Sequence, residues 1–311
     1  MREIRVFSPA SVSNVACGFD VMGFAIEQLG DQLVMRKSNK KGVIISKITG
    51  DGGILPYNVE ANTAGKPLLS MSKKYSIEEG IEIEIHKKMP FGSGLGSSAA
   101  SAVAAVYAFN KLFNLSLTKR ELLKYALEGE EVASGAIHAD NVAPSLYGGF
   151  VLIRGYNPID IIEIATPPQL YCVVVHPQIE IKTKESRKIL PKEIPLKDAV
   201  TQWGNTAALT AGLLTEDYNL ISRSLQDVVI EPHRAHTIPG LHSIKSAAMA
   251  NKALGCSISG SGPSIFALSK GERDANRVGE AMYKAMLESG LKGTLYISKI
   301  SKKGPQVLES R

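Results

Sequence analysis

Apolar and polar residues alternate most regularly over residues 81–87, IEIEIHK, where isoleucine occupies the odd positions that precede Lys87. A period of two is typical of a strand with one buried face. Shorter β-like segments before it predict further strands at residues 4–7, 31–36 and 42–48. The first third of the chain is therefore expected to build a sheet.

A helical spacing follows that strand. Residues 97–113 are rich in alanine, and small residues along the first turns would let a helix pack closely against a sheet. The larger apolar residues of this segment are Val103, Val106, Tyr107 and Phe109. A second helix is predicted at residues 118–133, because Thr118 and Glu121 have the spacing of a capping box.

The second half of the chain mixes both kinds of element. Residues 170–176, LYCVVVH, predict a buried strand, and residues 264–268 predict another. Helices are expected at residues 199–215, 220–229, 238–253 and 273–289. Since strands and helices do not alternate as βαβ units, the fold class is expected to be α+β.

A proline-containing segment, NPIDIIEIATPPQ at residues 157–169, separates two strand-like runs. We therefore expect a domain boundary near residue 155, with domains at residues 1–155 and 156–311. A chain of 311 residues also exceeds the size at which one core comfortably suffices.

Composition describes an ordinary globular protein, with 44% hydrophobic and 21% charged residues. The net charge of +6 comes from dispersed lysines, and only 6% of residues are aromatic. Both features argue against a nucleic-acid-binding protein, which would concentrate charge and aromatic rings on one face. A basic surface is equally expected of an enzyme that collects anionic substrates.

Cysteine usage and the chain start bear on location. Cys17, Cys172 and Cys256 lie far apart and form no CxxC motif, so neither a disulfide framework nor a zinc site is indicated. The opening MREIRVFSPA has no apolar signal segment, and no apolar run approaches the ~18 residues of a membrane span. The sequence predicts a cytoplasmic protein with no membrane partner.

Glycine recurs at every second position in PFGSGLGSSAASA, residues 90–102, between the predicted strand and helix. Free N–H groups and the dipole of a helix start bind anions, and glycine lets a phosphate approach the backbone closely. Neither a Walker loop, whose lysine is absent after Gly96, nor a GxGxxG fingerprint fits. The alternative is a tight turn with helix-capping serines. The strand–helix context favours a phosphate site, where Ser97 or Ser98 could also contact a phosphate-bound Mg²⁺.

Three motifs, in the same order along the chain, resemble those of the GHMP kinases. They are SPASVSNVACGFDVMGFAI at residues 8–26, the stretch at 90–102, and GCSISGSGPSIFAL at 255–268. Such kinases hold ATP phosphates on a loop without lysine. The resemblance covers nearly the whole chain and implies a two-domain α+β fold, with ATP and Mg²⁺ as cofactors. It also implies that residues 259–263 support the phosphate loop from the second domain.

Three further segments resemble the GHMP kinases that phosphorylate L-homoserine. These are SVSNVACGFD at residues 11–20, HADNVAPSLYGG at 138–149 and EPHRAHTIPG at 231–240. The resemblance implies transfer of the ATP γ-phosphate to the side-chain hydroxyl of L-homoserine, a step toward threonine. Another GHMP small-molecule kinase and a non-catalytic GHMP-fold regulator are the alternatives. A regulator would be expected to have lost the glycines or Glu130, and a homodimer, usual in this family, is not readable from the sequence.

The resemblance implies which residues bind nucleotide and metal. The phosphate-loop positions are Pro90, Phe91, Gly92, Ser93, Gly94, Leu95, Gly96, Ser97, Ser98, Ala99 and Ala100. Asn62, Thr63 and Lys87 match positions at the adenosine end. Ser98 and Glu130 match the Mg²⁺ ligands, although other glutamates lie close by in EGEEVASGAIH. Mg²⁺ prefers few protein ligands together with phosphate oxygens and water, so one carboxylate and one hydroxyl suffice.

For the acceptor, the resemblance implies five residues. Arg187 and Arg234 match carboxylate-binding positions, and a planar guanidinium can donate two parallel hydrogen bonds to a carboxylate. Asn14 and Asp20 match positions that receive the substrate ammonium and hydroxyl, and His138 matches another substrate-binding position. Taken singly, such residues are more often a solvated arginine, a turn aspartate and a structural histidine.

Two interpretations of catalysis remain, one with a catalytic base and one without. Several GHMP kinases use an aspartate base supported by a lysine from the first motif, but no lysine or arginine occurs between Arg5 and Arg36. Phosphoryl transfer has a loose transition state in most analyses, so one interpretation is that Asn14 and Asn141 position the acceptor and no base is needed. Asp140 as a base is the competing interpretation.

Overall fold

The computed structural model describes residues 1–90, 92–135, 137–181 and 183–311. Its strands are β1 (Glu3–Ser13), β2 (Met22–Ser38), β3 (Val43–Thr49), β4 (Gly80–His86), β5 (Phe150–Tyr156), β6 (Ile159–Ile164), β7 (Leu170–Pro177), β8 (Gly255–Ile258), β9 (Ile265–Lys270), β10 (Gly293–Lys299) and β11 (Gln306–Ser310). Its helices are α1 (Gly65–Lys74), α2 (Ser97–Leu112), α3 (Lys119–Ser134), α4 (Ala139–Tyr147), α5 (Thr183–Lys188), α6 (Leu196–Thr215), α7 (Tyr218–Ser224), α8 (Glu231–Arg234), α9 (Leu241–Ala250) and α10 (Glu272–Glu288).

The first sheet has the order β11-β1-β2-β4-β3, with β5 on β2 and β6 on β5. The long strand β2 pairs antiparallel with β1, β4 and β5, while β3 and β4 are parallel. The β1–β2 register shifts between Pro9, which faces Gly30, and Ser11, which faces Ala25. Such a bulge bends the strand pair, and the bend lies where the first motif begins.

The second sheet has the order β10-β7-β9-β8, and its neighbouring strands are antiparallel. Helices α9 and α10 pack on it around a core of buried aliphatic residues. In the first half, the alanine-rich α2 is almost entirely buried against β1 and β2, which confirms the close packing that its small residues predict.

A third core joins the halves. The buried ring of Phe24 lies 4.6 Å, centroid to centroid, from Phe150 of the first sheet and 5.9 Å from Phe266 of the second. This cluster draws on both sheets and includes apolar residues of the first motif, so it holds the two halves together. The predicted α+β class is confirmed.

The elements that were predicted from short-range sequence patterns agree best with the structure. The alternating segment is β4, and the capping box is present: Glu121 N–H donates to Thr118 Oγ1 at 3.3 Å, and Thr118 N–H donates to Glu121 Oε2 at 2.8 Å. The predicted helix at 220–229 is wrong in extent, because α7 ends at Ser224. The carboxylate of Asp227 instead accepts hydrogen bonds from backbone N–H groups that follow it, which forms a turn.

The chain passes from the first sheet to the second after β6. Residue 155 lies inside β5, and β6 forms from part of the predicted interdomain segment. The chain leaves the first sheet after Ile164 and returns to it at Gln306. The division into domains 1–155 and 156–311 stays a prediction.

Within the described ranges, no helix is both long and apolar enough to cross a membrane. The cytoplasmic location stays a prediction.

Candidate active site

A cavity of about 520 Å³ lies where the three motifs meet. The predicted site residues that line it are Asn14, Asp20, Asn62, Thr63, Lys87, Gly92, Ser93, Gly94, Gly96, Ser97, Ser98, Glu130, His138, Asp140, Asn141, Arg187 and Arg234. Leu95, Ala99 and Ala100 are instead buried in the cores, and Pro90 is not among the lining residues. Phe91 lies outside the described residues.

The loop between β4 and α2 requires glycine for two reasons: its backbone adopts positive φ angles, and neighbouring atoms leave no room for a Cβ. Gly92, Gly94 and Gly96 have φ values of 61°, 74° and 67°, in the left-handed region that disfavours a side chain. A Cβ on Gly94 would lie 2.4 Å from the Ser259 carbonyl oxygen, and one on Gly96 would lie 2.1 Å from Ser11 Oγ. The loop is therefore closely packed against the first and third motifs.

Hydrogen bonds from both motifs hold the loop backbone. Ser259 Oγ donates to the Gly94 carbonyl at 2.7 Å, and Ser264 N–H donates to the Ser93 carbonyl at 3.2 Å. From the other side, Ser11 N–H donates to the Leu95 carbonyl at 3.1 Å. The third motif thus makes the supporting contact expected of it.

A buried ion pair anchors the start of α2. Lys87 Nζ pairs with Asp31 and donates to the Ser97 carbonyl and to Ser101 Oγ, both at 2.7 Å. Ser97 Oγ also donates to Asp31 Oδ2 at 2.9 Å. Sequence reasoning missed Asp31, whose one signal is a charge among the apolar residues of β2. Lys87 is engaged in this anchor, and its contact with nucleotide stays a prediction.

Asn62 shapes the segment before α1. Its Oδ1 accepts from the N–H groups of Ala64 at 2.9 Å and Gly65 at 3.3 Å, while Nδ2 donates to the Pro56 carbonyl at 2.8 Å. These contacts fix the adjacent Thr63 at the cavity wall.

The two predicted metal ligands lie together beside the loop. Ser98 Oγ donates to Glu130 Oε2 at 2.7 Å. Burial raises the pKa of Glu130 to about 7, and the Ser98 hydrogen bond opposes this only in part. A carboxylate and a hydroxyl at a phosphate loop are the hard oxygen donors that Mg²⁺ prefers, so these residues fit the ion.

Two asparagines connect the motifs through their amides. Asn14 Oδ1 accepts from Asp20 N–H at 3.0 Å, and Asn14 Nδ2 donates to the Gly260 carbonyl at 2.8 Å. Asn141 Oδ1 accepts from Ser11 Oγ, and its Nδ2 donates to Ser13 Oγ, each at 2.9 Å. Asn14 and Asp20 have φ values of 65° and 58°, a conformation that these residue types tolerate well.

At the other end of the cavity, Arg187 joins two predicted acceptor residues. Its guanidinium donates to both Asp20 oxygens, at 3.1 and 2.6 Å, and contacts His138 Nδ1 at 3.0 Å. A guanidinium only donates, so Nδ1 accepts and the neutral ring carries its proton on Nε2. Burial lowers the pKa of His138. Among the described residues, its buried Nε2 has no hydrogen-bond partner.

Arg234 is 3% exposed and donates from Nη1 to the Gly260 carbonyl at 2.9 Å. Within the described residues its Nε has no partner. Burial lowers the pKa of Arg234 to about 10, and the charge of Arg187 adds to the effect. The Phe19 ring, which sequence reasoning missed, lies 5.5 Å from Arg187 and 5.3 Å from Arg234. Two guanidiniums therefore contact one aromatic ring at this end of the cavity.

Asp140 lies at the start of α4, between the two ends of the cavity. Burial raises its pKa to about 7, with the charge of Asp20 as a further cause. Its Oδ1 has no hydrogen-bond partner in the part of the chain that the structure describes. Asp20 and Asp140 each place a carboxylate oxygen, and His138 a ring nitrogen, so that the three atoms lie within 4.8 Å of one another. This cluster can receive a hydrogen-bond donor or a cation.

Comparison with known proteins agrees with this geometry. The family model for the N-terminal domain of GHMP kinases matches residues 62–149, and the model for their C-terminal domain matches residues 209–288. Together with the loop between β4 and α2, these matches define the class as a GHMP kinase, an ATP-dependent enzyme that phosphorylates an alcohol.

Several relatives identify the family within this class of kinases. A homoserine kinase of Chlorobium phaeobacteroides is 49% identical over 320 positions, covering 99% of this chain and 100% of that protein. The homoserine kinase of Chlorobaculum tepidum is 47% identical, covering 100% of this chain and 99% of that one. The crystal structure of homoserine kinase from Cytophaga hutchinsonii matches with a TM-score of 0.97 at 52% identity, over 99% of this chain and 98% of its own. The chain belongs to the homoserine kinase family.

Proposed function

We propose that this chain transfers the γ-phosphate of ATP to the side-chain hydroxyl of L-homoserine, giving O-phospho-L-homoserine for threonine biosynthesis. One observation carries the proposal: a single cavity holds the glycine loop at one end and the cluster of Asp20, His138, Arg187 and Arg234 at the other. The first suits a polyphosphate and the second suits a small zwitterion.

At the phosphate end, loop amides from Gly92 to Ser98 receive the ATP phosphates, and the start of α2 adds its partial positive charge. Ser98 and Glu130 would hold Mg²⁺, which would supply positive charge to the phosphate oxygens. Asn62, Thr63 and Lys87, which line the same cavity, are proposed to bind the adenosine end of ATP.

At the acceptor end, Arg234 and Arg187 receive the homoserine carboxylate. The unpartnered Nε of Arg234 supports this role, because a carboxylate would satisfy it. Asp20 and Asn14 take the ammonium and hydroxyl, and the Nε2–H of His138 is free to donate to the substrate.

For the proton of the hydroxyl, Asn14 and Asn141 orient the acceptor. With a pKa near 7, Asp140 is partly ionised at neutral pH and is a candidate to accept that proton. The competing path passes the proton late to a phosphate oxygen and needs no base. The pH dependence of kcat in Asp140→Asn, compared with the parent, separates the two.

The test of the proposal is Mg-ATP consumption with L-homoserine, beside mevalonate, galactose and L-serine. We expect turnover with homoserine alone. Turnover with a different acceptor would keep the GHMP kinase class and overturn the substrate. ATP binding without turnover on any acceptor would instead favour a non-catalytic regulator.

We further propose that the chain forms a homodimer through the exposed face of α6. This face carries apolar side chains, with Trp203 63% exposed, and the sequence has no charged residue between Asp198 and Glu216. The other large apolar residues exposed there are Leu196, Val200 and Leu214. Antiparallel pairing of two copies would bring Lys197 of one chain near Glu216 of the other, so the face is complementary to itself.

The chain contains one tryptophan, so its fluorescence reports this face directly. We expect a dimer in sedimentation at micromolar concentration, and a blue shift of Trp203 emission as concentration rises. Trp203→Glu should yield a monomer. A parent chain that stays monomeric at all concentrations would overturn the dimer.

A further inference from the structure

The two arms of the acceptor site come from distant parts of the chain. Asp20 follows Cys17 in the segment between β1 and β2, whereas Arg234 ends the short helix α8. Their relative position decides whether one small substrate can reach both. The residues that connect the two segments lie behind the cavity.

Gln202, on the buried side of α6, uses both ends of its amide for this connection. Its Nε2 donates to the Cys17 carbonyl at 3.2 Å and to Asp227 Oδ1 at 2.9 Å, while its Oε1 accepts from Val228 N–H at 3.1 Å. Thr206 Oγ1 donates to the same Cys17 carbonyl at 2.8 Å. One side chain therefore binds the segment before Asp20 and the segment before α8.

Asp227 continues the connection to Arg234. Its Oδ1 accepts from the N–H groups of Val229 at 3.0 Å and Ile230 at 2.9 Å, and its Oδ2 accepts from Glu231 N–H at 2.9 Å. A four-residue helix has too few internal hydrogen bonds to hold itself. Its conformation depends on this carboxylate at its start, where an acceptor and a negative charge are both favourable.

We infer that Gln202 and Asp227 are positioning residues that hold the Asp20 segment and the Arg234 helix in one fixed relation. Neither belongs to the lining of the cavity in the described part of the chain, so both act through other groups. The inference rests on the proposed phosphorylation of homoserine, because it concerns the site of that acceptor.

The test compares steady-state constants for the parent, Gln202→Met and Asp227→Asn. Methionine keeps the length of Gln202 and removes its hydrogen bonds. We expect the KM for homoserine to rise about tenfold, the scale of one lost hydrogen bond, while the KM for ATP and kcat stay within about twofold. In the double variant, the fold increase in the KM for homoserine should be smaller than the product of the increases in the two single variants, since both residues serve one connection.

Gln226→Met is the matched control, because it makes the same chemical change at an exposed neighbour of Asp227. An unchanged homoserine KM in both variants, with an active parent, would overturn the inference alone. Equal losses for ATP and homoserine would indicate general destabilisation and overturn it as well. A parent without homoserine turnover would overturn the proposed function, and this inference with it. Asp227→Asn, the milder change, keeps the test informative if Gln202→Met does not fold.

Discussion

The two ends of the cavity are built by opposite means. The phosphate end is mainly backbone from one continuous segment, held by Ser11 on one side and Ser259 on the other. The acceptor end is a set of charged side chains supplied by the β1–β2 segment, α4, α5 and α8. A backbone site is damaged by adding atoms, whereas a side-chain site is damaged by removing charge. Each change should therefore affect one substrate and spare the other.

Adding one methyl group to the loop should have the largest effect. In Gly96→Ala the new Cβ meets Ser11 Oγ at 2.1 Å and Asn141 Oδ1 at 2.8 Å, at a φ of 67°. Strain and overpacking together should lower kcat/KM for ATP by up to about 1,000-fold. Gly290→Ala is the control, because its φ is similarly positive, at 80°, and no atom lies within 4 Å of its Cβ. Equal losses in both variants would contradict the steric argument.

Removing one charge from the acceptor end comes next. Arg234→Leu removes the guanidinium that we propose to bind the carboxylate and should lower kcat/KM for homoserine about 100-fold, with the KM for ATP unchanged. Arg223→Leu, at an exposed position, should have no effect. If the loss appeared in the KM for ATP instead, Arg234 would serve the nucleotide.

Glu130 allows a test by pH, because it is an ionisable side chain at the phosphate end, which is otherwise built mainly from backbone. Its raised pKa means that the folded state favours the protonated form. The stability contribution is therefore complete below about pH 4.5 and is lost as pH rises through about 7, by up to about 3 kcal/mol. Urea unfolding of the metal-free protein from pH 4.5 to 7.5 should show this fall, and Glu130→Gln should reduce it. An unchanged slope in the variant would exclude Glu130 as its source.

The smallest effect should come from Ser259→Ala, which removes one hydrogen bond to the Gly94 carbonyl. Losing about 1 kcal/mol of ATP binding free energy should raise the KM for ATP about fivefold and leave the KM for homoserine unchanged. Ser243→Ala, exposed on α9, serves as the control. A shift confined to homoserine would show that the third motif supports the acceptor end instead.

The phosphate end and the acceptor end also differ in how far the sequence could predict them. The strand at β4, the helix α2 and the loop between them depend on neighbours in the chain, so period, composition and glycine spacing revealed them. The strand extensions of β1 and β2 through the first motif were missed, because both faces of the strands are buried there and the sequence shows no alternation. The partnership of Asp31 with Lys87 links residues that only the fold brings together.

The acceptor residues illustrate the limit. Asp20, His138 and Arg187 share hydrogen bonds yet lie far apart in sequence, and only resemblance to known kinases pointed to them. The roles assigned to them stay predictions. Gln202 carried no sequence signal at all, because a glutamine inside an apolar helix looks like an ordinary surface residue.

The pairing of β11 with β1 has a consequence for synthesis. Arg5 faces Glu309 and Phe7 faces Gln306, so β1 lies between β2 and a strand from the far end of the chain. On the ribosome, β1 is translated long before β11, and its outer edge stays open until β11 has been made. An open edge is where partly folded chains associate wrongly. Strand β1 therefore acquires this neighbour only after translation has passed residue 310.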